Sequence, residues 1–110
     1  MWIVNDKAPI NNMDSVNRIV KLATGLEFIE LPFQGEDTLV LDGTLSRELS
    51  KINCRILTLS CSAPQNYRPP SLNGDNKTVW PTFIDPIGSG VIMTDRPIGL
   101  SNYLKTLKTA

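Results

Sequence analysis

A long polar segment, residues 62–78, most constrains the fold, because it separates two apolar runs that each resemble a strand. Loops longer than about 12–15 residues are uncommon in compact domains and are usually functional or disordered. This segment and the residues just after it hold a tyrosine, an arginine, an adjacent pair of prolines and a tryptophan. Tyr, Arg and Trp are the residue types in which binding energy concentrates at protein interfaces. The sequence therefore predicts a long loop carrying a partner-binding site formed by Tyr67, Arg68, Pro69, Pro70 and Trp80.

Length and composition indicate one ordinary globular domain spanning residues 1–110. Hydrophobic residues make up 41% of the chain and charged residues 20%, as is usual for globular proteins. The formal net charge is zero. Dedicated nucleic-acid binders carry a basic surface, and binders of anionic membranes carry basic clusters. The partner expected is therefore a protein, including a second copy of the chain, rather than nucleic acid or a membrane.

The zero net charge conceals an asymmetry along the chain. Residues 27–42 contain five acids and no Lys or Arg, namely Glu27, Glu30, Glu36, Asp37 and Asp42. Residues 96–110 contain three cations and no acid, namely Arg96, Lys105 and Lys108. Patches of opposite charge can attract one another between copies, which suggests self-association. The alternative is that both are solvated faces without a partner, because exposed ion pairs are individually weak.

Cysteine and histidine content bears on the compartment and on metal chemistry. If residues 54–60 form a strand, the Cα atoms of Cys54 and Cys61 lie about 23 Å apart at about 3.3 Å per residue. A disulfide requires less than about 7 Å. Two free thiols are therefore expected, together with a reducing compartment, the cytoplasm. The chain has no histidine, so we expect neither a zinc site nor any other cofactor.

Apolar periodicity predicts two helices and leaves a third segment open. An i, i+3, i+4, i+7 stripe predicts a helix at about 13–24, with Gly25 closing it in a left-handed turn. A similar stripe after Ser101 predicts a final helix. Residues 44–52 also show helical spacing, but the preceding Asp42-Gly43 pair favours a hairpin turn. A short helix is preferred there, and a strand remains the alternative.

The remaining apolar runs read as strands joined in hairpins. Residues 26–31 and 38–41 suggest one hairpin, 54–60 a central strand, and 78–84 with 91–94 a second hairpin. Pro81 interrupts one of these runs and suggests an edge strand. No internal repeat is evident. The predicted fold is α+β, with a mostly antiparallel sheet of four to six strands packed with two or three short helices.

Carboxylates offer the main alternative chemistry, because the usual histidine base is absent. Asp75-x-Lys77 matches a short piece of metal-dependent nuclease signatures, and Asp85 and Asp95 flank the second predicted hairpin. Paired carboxylates can hold a hard cation or perform acid–base chemistry. These four residues define an alternative function, a small metal-dependent hydrolase or nuclease-like enzyme. Each of the aspartates is also an ordinary turn residue.

The leading hypothesis is a non-enzymatic interaction or structural protein that self-associates and contacts a protein through residues 62–80. No residue is assigned a catalytic role. A second alternative is a single-stranded nucleic-acid binder, since Tyr67, Arg68 and Trp80 combine aromatic rings with a cation.

Overall fold

The computed structural model describes residues 2–4, 8–59, 69–72 and 74–108. The strands are β1 (Trp2–Ile3), β2 (Phe28–Glu30), β3 (Arg55–Leu59) and β4 (Ser89–Met93). The helices are α1 (Met13–Ala23), α2 (Thr38–Leu41), α3 (Thr44–Ser50), α4 (Trp80–Ile84) and α5 (Pro97–Lys108), and a 3₁₀ turn spans Pro70–Leu72. No helix in these ranges is both long and apolar enough to cross a bilayer.

The strands form a single sheet in which every described pairing is parallel. Their order is β1-β2-β3-β4, the order of the chain. β1 contains two residues, so only three described strands have three or more. The expected combination of helices with one sheet is present, but the predicted antiparallel sheet of four to six strands is wrong. Five helices are present among the described residues rather than two or three.

The error has a local cause, since two short apolar runs predicted as strands are helices. Thr38–Leu41 forms α2, and Trp80–Ile84 forms α4. Runs of four or five apolar residues do not distinguish a buried strand from a buried helix. Pro81 lies in the first turn of α4, where its missing N–H costs nothing. Both predicted hairpins are therefore absent, and β4 pairs with β3 instead.

The longer periodic segments were predicted correctly. α1 occupies the predicted segment 13–24 within one residue, with the side chain of Asn12 accepting from the N–H of Ser15 at 2.9 Å. Gly25 has φ 92°, as a left-handed closing residue requires. Residues 44–50 are helical, as preferred, and β3 and α5 lie where a strand and a helix were expected.

The first two steps of the strand pairing have the same length. Trp2 pairs with Ile29 and Ile29 with Ile56, so both steps are 27 residues. The next step is longer, since Ile56 pairs with Ser89 across a bulge. In the described part of the chain, one helix connects β1 to β2 and two connect β2 to β3, so the equal spacing does not come from identical connections.

The hydrophobic core lies on one face of this sheet, which we call the core face. Ile29 and Ile56 lie on it and are at most 1% exposed. Helices α1 to α4 all contribute side chains to the same core, including Ile19, Val40, Leu49 and Phe83. Phe83 also meets Phe33 edge to face, with ring centroids 6.1 Å apart. The four helices therefore form one layer against one side of the sheet.

Within the acidic segment 27–42, one carboxylate has a structural role. Asp37 is 9% exposed. Its Oδ1 accepts from the N–H of Ile10 and its Oδ2 from the N–H of Gln34, both at 2.7 Å. The carboxylate thus joins the chain before α1 to the loop before α2. Glu30 is also buried, so this segment is not a continuous acidic surface.

The substitution Asp37→Ala should lower the free energy of unfolding by about 2–4 kcal/mol, because two N–H groups lose a charged acceptor. Urea denaturation followed by circular dichroism measures the change. Glu36→Ala is the matched control, since Glu36 is the exposed neighbour. Equal losses in the two variants would contradict the role assigned to Asp37.

Cys54 is a free thiol, 3% exposed, and burial raises its pKa. The predicted second thiol, Cys61, lies outside the described residues. In a Cys61→Ser variant at about pH 8, native Cys54 should react with iodoacetamide at least about tenfold more slowly than in urea, because only the thiolate attacks. Equal rates in the native and unfolded protein would show that the thiol is accessible.

Candidate functional site

A pocket lies where the chain leaves β4 and enters α5. Its volume is about 430 Å³. The lining comes from the turn before α4, from the first residue of α4 and from α5 with the residue before it, and it includes Asn76, Lys77, Trp80, Arg96, Asn102 and Tyr103. Ligands of parallel sheets bind outside the carboxyl ends of the strands. We call this feature the carboxyl-end pocket.

Asp75 holds the two segments of the pocket together. Its Oδ1 accepts from the indole Nε1 of Trp80 at 3.2 Å and from the hydroxyl of Thr94 at 2.6 Å. Its Oδ2 accepts from the backbone N–H of Asp95 at 2.6 Å. The guanidinium of Arg96 donates to the carbonyl of Asp75 at 3.4 Å. The position of the pocket residues therefore depends on one carboxylate and its carbonyl.

Two aromatic rings form the wall of the pocket. The ring centroids of Trp80 and Tyr103 lie 5.8 Å apart with an interplanar angle of 40°. Trp80 is 2% exposed, whereas Tyr103 is half-buried. A Cβ added at Gly99 would lie 3.5 Å from Cη2 of Trp80, so a side chain there would cover the ring edge. The glycine keeps this edge of the indole within the pocket.

Lys77 and Arg96 give the pocket its charge. Both side chains are exposed, and both line the pocket. Within the described part of the chain, neither has a carboxylate at salt-bridge distance. The carboxylate of Asp75 is directed to Trp80, Thr94 and Asp95 and is not part of the lining. The lining thus contains two cations and no acid.

The structure describes three of the five residues predicted to bind a partner. Tyr67 and Arg68 lie outside the described residues. Pro69 is buried, and Pro70 begins the 3₁₀ turn. Trp80 begins α4, with its indole N–H bonded to Asp75. The role of this group as a partner-binding site stays a prediction.

Three of the four residues proposed for metal-dependent chemistry lie at the same end of the sheet. Asp75 contacts Asp95 directly, and Lys77 lines the pocket. Asp85 follows α4 and is exposed, outside the pocket lining. Among the residues that can be described, no group of three or more Asp, Glu, Cys or His side chains could hold a metal ion. Asp75 acts here as a hydrogen-bond acceptor for protein groups.

Sequence reasoning missed Arg96, Asn102 and Tyr103 as pocket residues. Arg96 was noted for its charge and Tyr103 for the helical stripe of α5. Their approach to Asn76 and Lys77 depends on β4 lying parallel to β3, with α5 following it. No local sequence signal reports that pairing.

The second candidate surface is the face of the sheet opposite the core, which we call the outer face. Side chains alternate between the faces of a strand, and the register places eight on this face: Ile3, Phe28, Glu30, Arg55, Leu57, Leu59, Val91 and Met93. None of them belongs to the hydrophobic core cluster. All-parallel sheets normally have both faces covered. An outer face outside the core is therefore a candidate contact surface.

Arg55 lies across the middle of the outer face. Its guanidinium carbon is 4.9 Å from the ring centroid of Phe28, a cation–π contact. A Cβ at Gly90 would come within 2.9 Å of the Arg55 side chain. Arg55 therefore lies over the sheet from β2 to β4, while Ile3 and Met93 remain 47% and 46% exposed on either side.

Comparison with known proteins gives no relative: no family model, curated protein or solved structure matches the chain. The functional argument rests on the geometry of the carboxyl-end pocket and the outer face.

The substitution Asp75→Asn should lower the free energy of unfolding by about 1–3 kcal/mol, because one of its oxygens becomes a donor facing other donors. It should also shift the indole N–H resonance of Trp80, which now loses a charged acceptor. Urea denaturation and ¹⁵N–¹H correlation spectra measure the two effects. The control is Asp85→Asn, an exposed aspartate. An unchanged Trp80 signal would contradict the hydrogen bond to Asp75.

Proposed function

We propose that the protein is a non-enzymatic interaction protein that self-associates, and that a second copy packs on the outer face. The observation that carries this proposal is the one-sided core. Helices α1 to α4 pack on the core face, and among the described residues the apolar side chains of the outer face lie outside that core cluster, although Leu57 is buried. A protein that leaves one side of a parallel sheet outside its own core has a surface suited to a further layer.

The outer face has the composition of a contact surface. Its two most exposed apolar side chains, Ile3 and Met93, lie on the edge strands β1 and β4. Between them, Phe28, Leu59 and Val91 are half-buried, and Leu57 is buried. Contiguous exposed apolar surface in a globular protein marks interaction sites. Two such sheets can pack face to face at about 10 Å, with their side chains interdigitating.

The net charge of the chain is compatible with a second copy packing on the outer face. The chain has zero net charge, and proteins near zero net charge associate more readily than charged ones. Of the two charged residues of the outer face, Arg55 is exposed and Glu30 is buried. The zero net charge of the whole chain lets two copies approach without net repulsion. A twofold dimer, in which the same patch is used by both subunits, is the commonest symmetric assembly.

The strand edges are poorer contacts than the face. Unpaired edges can add a strand from another chain, and natural proteins limit this with very short or bulged edge strands. β1 contains two residues, and β4 pairs with β3 across a register shift. These features oppose edge-to-edge pairing and favour face-to-face packing.

The segment 62–80 remains the proposed contact for a protein partner, on the residue types it contains. A reducing compartment, the cytoplasm, is likewise proposed on the free thiol of Cys54. Neither proposal bears on the packing of two copies.

The double substitution Ile3→Glu/Met93→Glu should abolish self-association, because it places like charges in the apolar contact. Light scattering coupled to size exclusion, from about 5 to about 500 µM, should show the wild-type mass rising to that of a dimer and the variant remaining a monomer.

Ile98→Glu is the matched control, since Ile98 is 77% exposed on α5 and lies outside the outer face. It should dimerise as the wild type does. A wild type that stays monomeric over the whole range would refute the proposal. So would a double variant that dimerises normally.

A further inference from the structure

We infer that the carboxyl-end pocket binds a small ligand that combines an anionic group with a planar aromatic ring, on the scale of a mononucleotide. The inference is independent of the proposed self-association, because no residue of the outer face lines this pocket. It rests on four properties of the pocket: its place in the fold, its charge, its aromatic wall and its support.

The place in the fold follows from the topology. In a parallel sheet all strands end at one side, and connections that leave these ends can form a crevice there even where, as in this chain-order sheet, no topological switch point occurs. The turn with Asn76 and Lys77 lies between β3 and α4, and Arg96 lies between β4 and α5. The pocket is thus built by the segments that follow two neighbouring parallel strands.

The charge of the lining selects an anion. Lys77 and Arg96 line the pocket with no acid beside them in the lining. Among the described residues, the guanidinium of Arg96 donates only to the carbonyl of Asp75. A guanidinium carries five N–H donors in a fixed planar fork that matches phosphate and carboxylate oxygens. Arg96 is therefore held by one bond while keeping donors for a ligand.

The aromatic wall selects a planar group. Tyr103 is half-buried, and its ring lies against Trp80, which fixes its position. Planar bases stack on such rings with little regard to their identity. Asn102 and Thr106, which also line the pocket, lie on the same helix as Tyr103. The amide of Asn102 both donates and accepts, as the edge of a heterocyclic ring requires, whereas the hydroxyl of Thr106 donates to the carbonyl of Tyr103 at 2.6 Å.

The hydrogen bonds of Asp75 order the site before a ligand binds. Asp75 bonds to Trp80, Thr94 and Asp95, so the wall and the turn that carries Arg96 are tied to one carboxylate. A binding site that is ordered before the ligand arrives loses less entropy on binding. The volume of about 430 Å³ lies within the range of small-molecule sites.

The test uses AMP, adenosine and inorganic phosphate as probes, with isothermal titration calorimetry and thermal unfolding of the full chain. AMP should raise the melting temperature, and its Kd should be at least about tenfold below that of adenosine or phosphate. AMP should also move the indole N–H resonance of Trp80, identified as the signal that the Asp75→Asn substitution shifts.

Variants separate the two parts of the ligand. Lys77→Gln/Arg96→Gln should weaken AMP binding at least about tenfold and leave adenosine binding unchanged. Tyr103→Leu should weaken AMP and adenosine but not phosphate. Lys21→Gln, which removes an exposed cation on α1, is the control and should bind AMP as the wild type does. Lys77 and Arg96 are exposed, and circular dichroism checks that the double variant is folded despite losing the bond from Arg96 to the Asp75 carbonyl.

Three results would overturn the inference. The first is no binding of AMP up to about 10 mM. The second is equal AMP affinity in the wild type and the Lys77→Gln/Arg96→Gln variant. The third is a deoxyoligonucleotide that binds far more tightly than AMP with a steep salt dependence, which would assign the surface to single-stranded nucleic acid. The mass measurement on the outer face is unaffected by any of these outcomes.

Discussion

The parallel pairing of strands in chain order is the constraint on which the rest of the structure depends. A parallel pair needs a crossover connection, and these crossovers have one hand in nearly all proteins. When successive crossovers also move across the sheet in one direction, their helices collect on one side. The core composition agrees, because α1 to α4 meet the core face together. The outer face follows from this arrangement.

The same pairing generates the carboxyl-end pocket. With β3 and β4 parallel, the segments that follow them emerge at the same end of the sheet. Asp75 then lies within hydrogen-bond distance of Thr94 and Asp95, residues about twenty positions later in the chain. An antiparallel hairpin between residues 78–84 and 91–94 would have produced a different set of neighbours. The site is therefore a product of topology rather than of a local motif.

Sequence patterns predicted the elements better than they predicted their pairing. The stripe Val16, Ile19 and Ala23 is long enough to define a helical period, and these three residues are fully buried. Residues 38–41 and 80–84 are too short to define a helical period. Their β-like composition therefore led to the wrong prediction of two strands. Strands were predicted to pair with their neighbours along the chain in hairpins. That rule does not apply to parallel strands, which are joined by crossover connections. The contacts of Asp75 could not be predicted, because they join two segments about twenty residues apart in the chain.

The acidic segment shows how composition and surface can diverge. Five acids without a cation suggest a charged patch that could drive association. In the structure, Asp37 and Glu30 are buried, and Asp42 accepts from the N–H of Thr44, which lowers the pKa of its carboxyl. Two of the five acids are therefore enclosed, whereas Glu27, Glu36 and Asp42 are exposed. The proposed self-association uses the apolar side chains of the outer face, whose contact salt screens little, rather than opposite charges, whose attraction salt weakens.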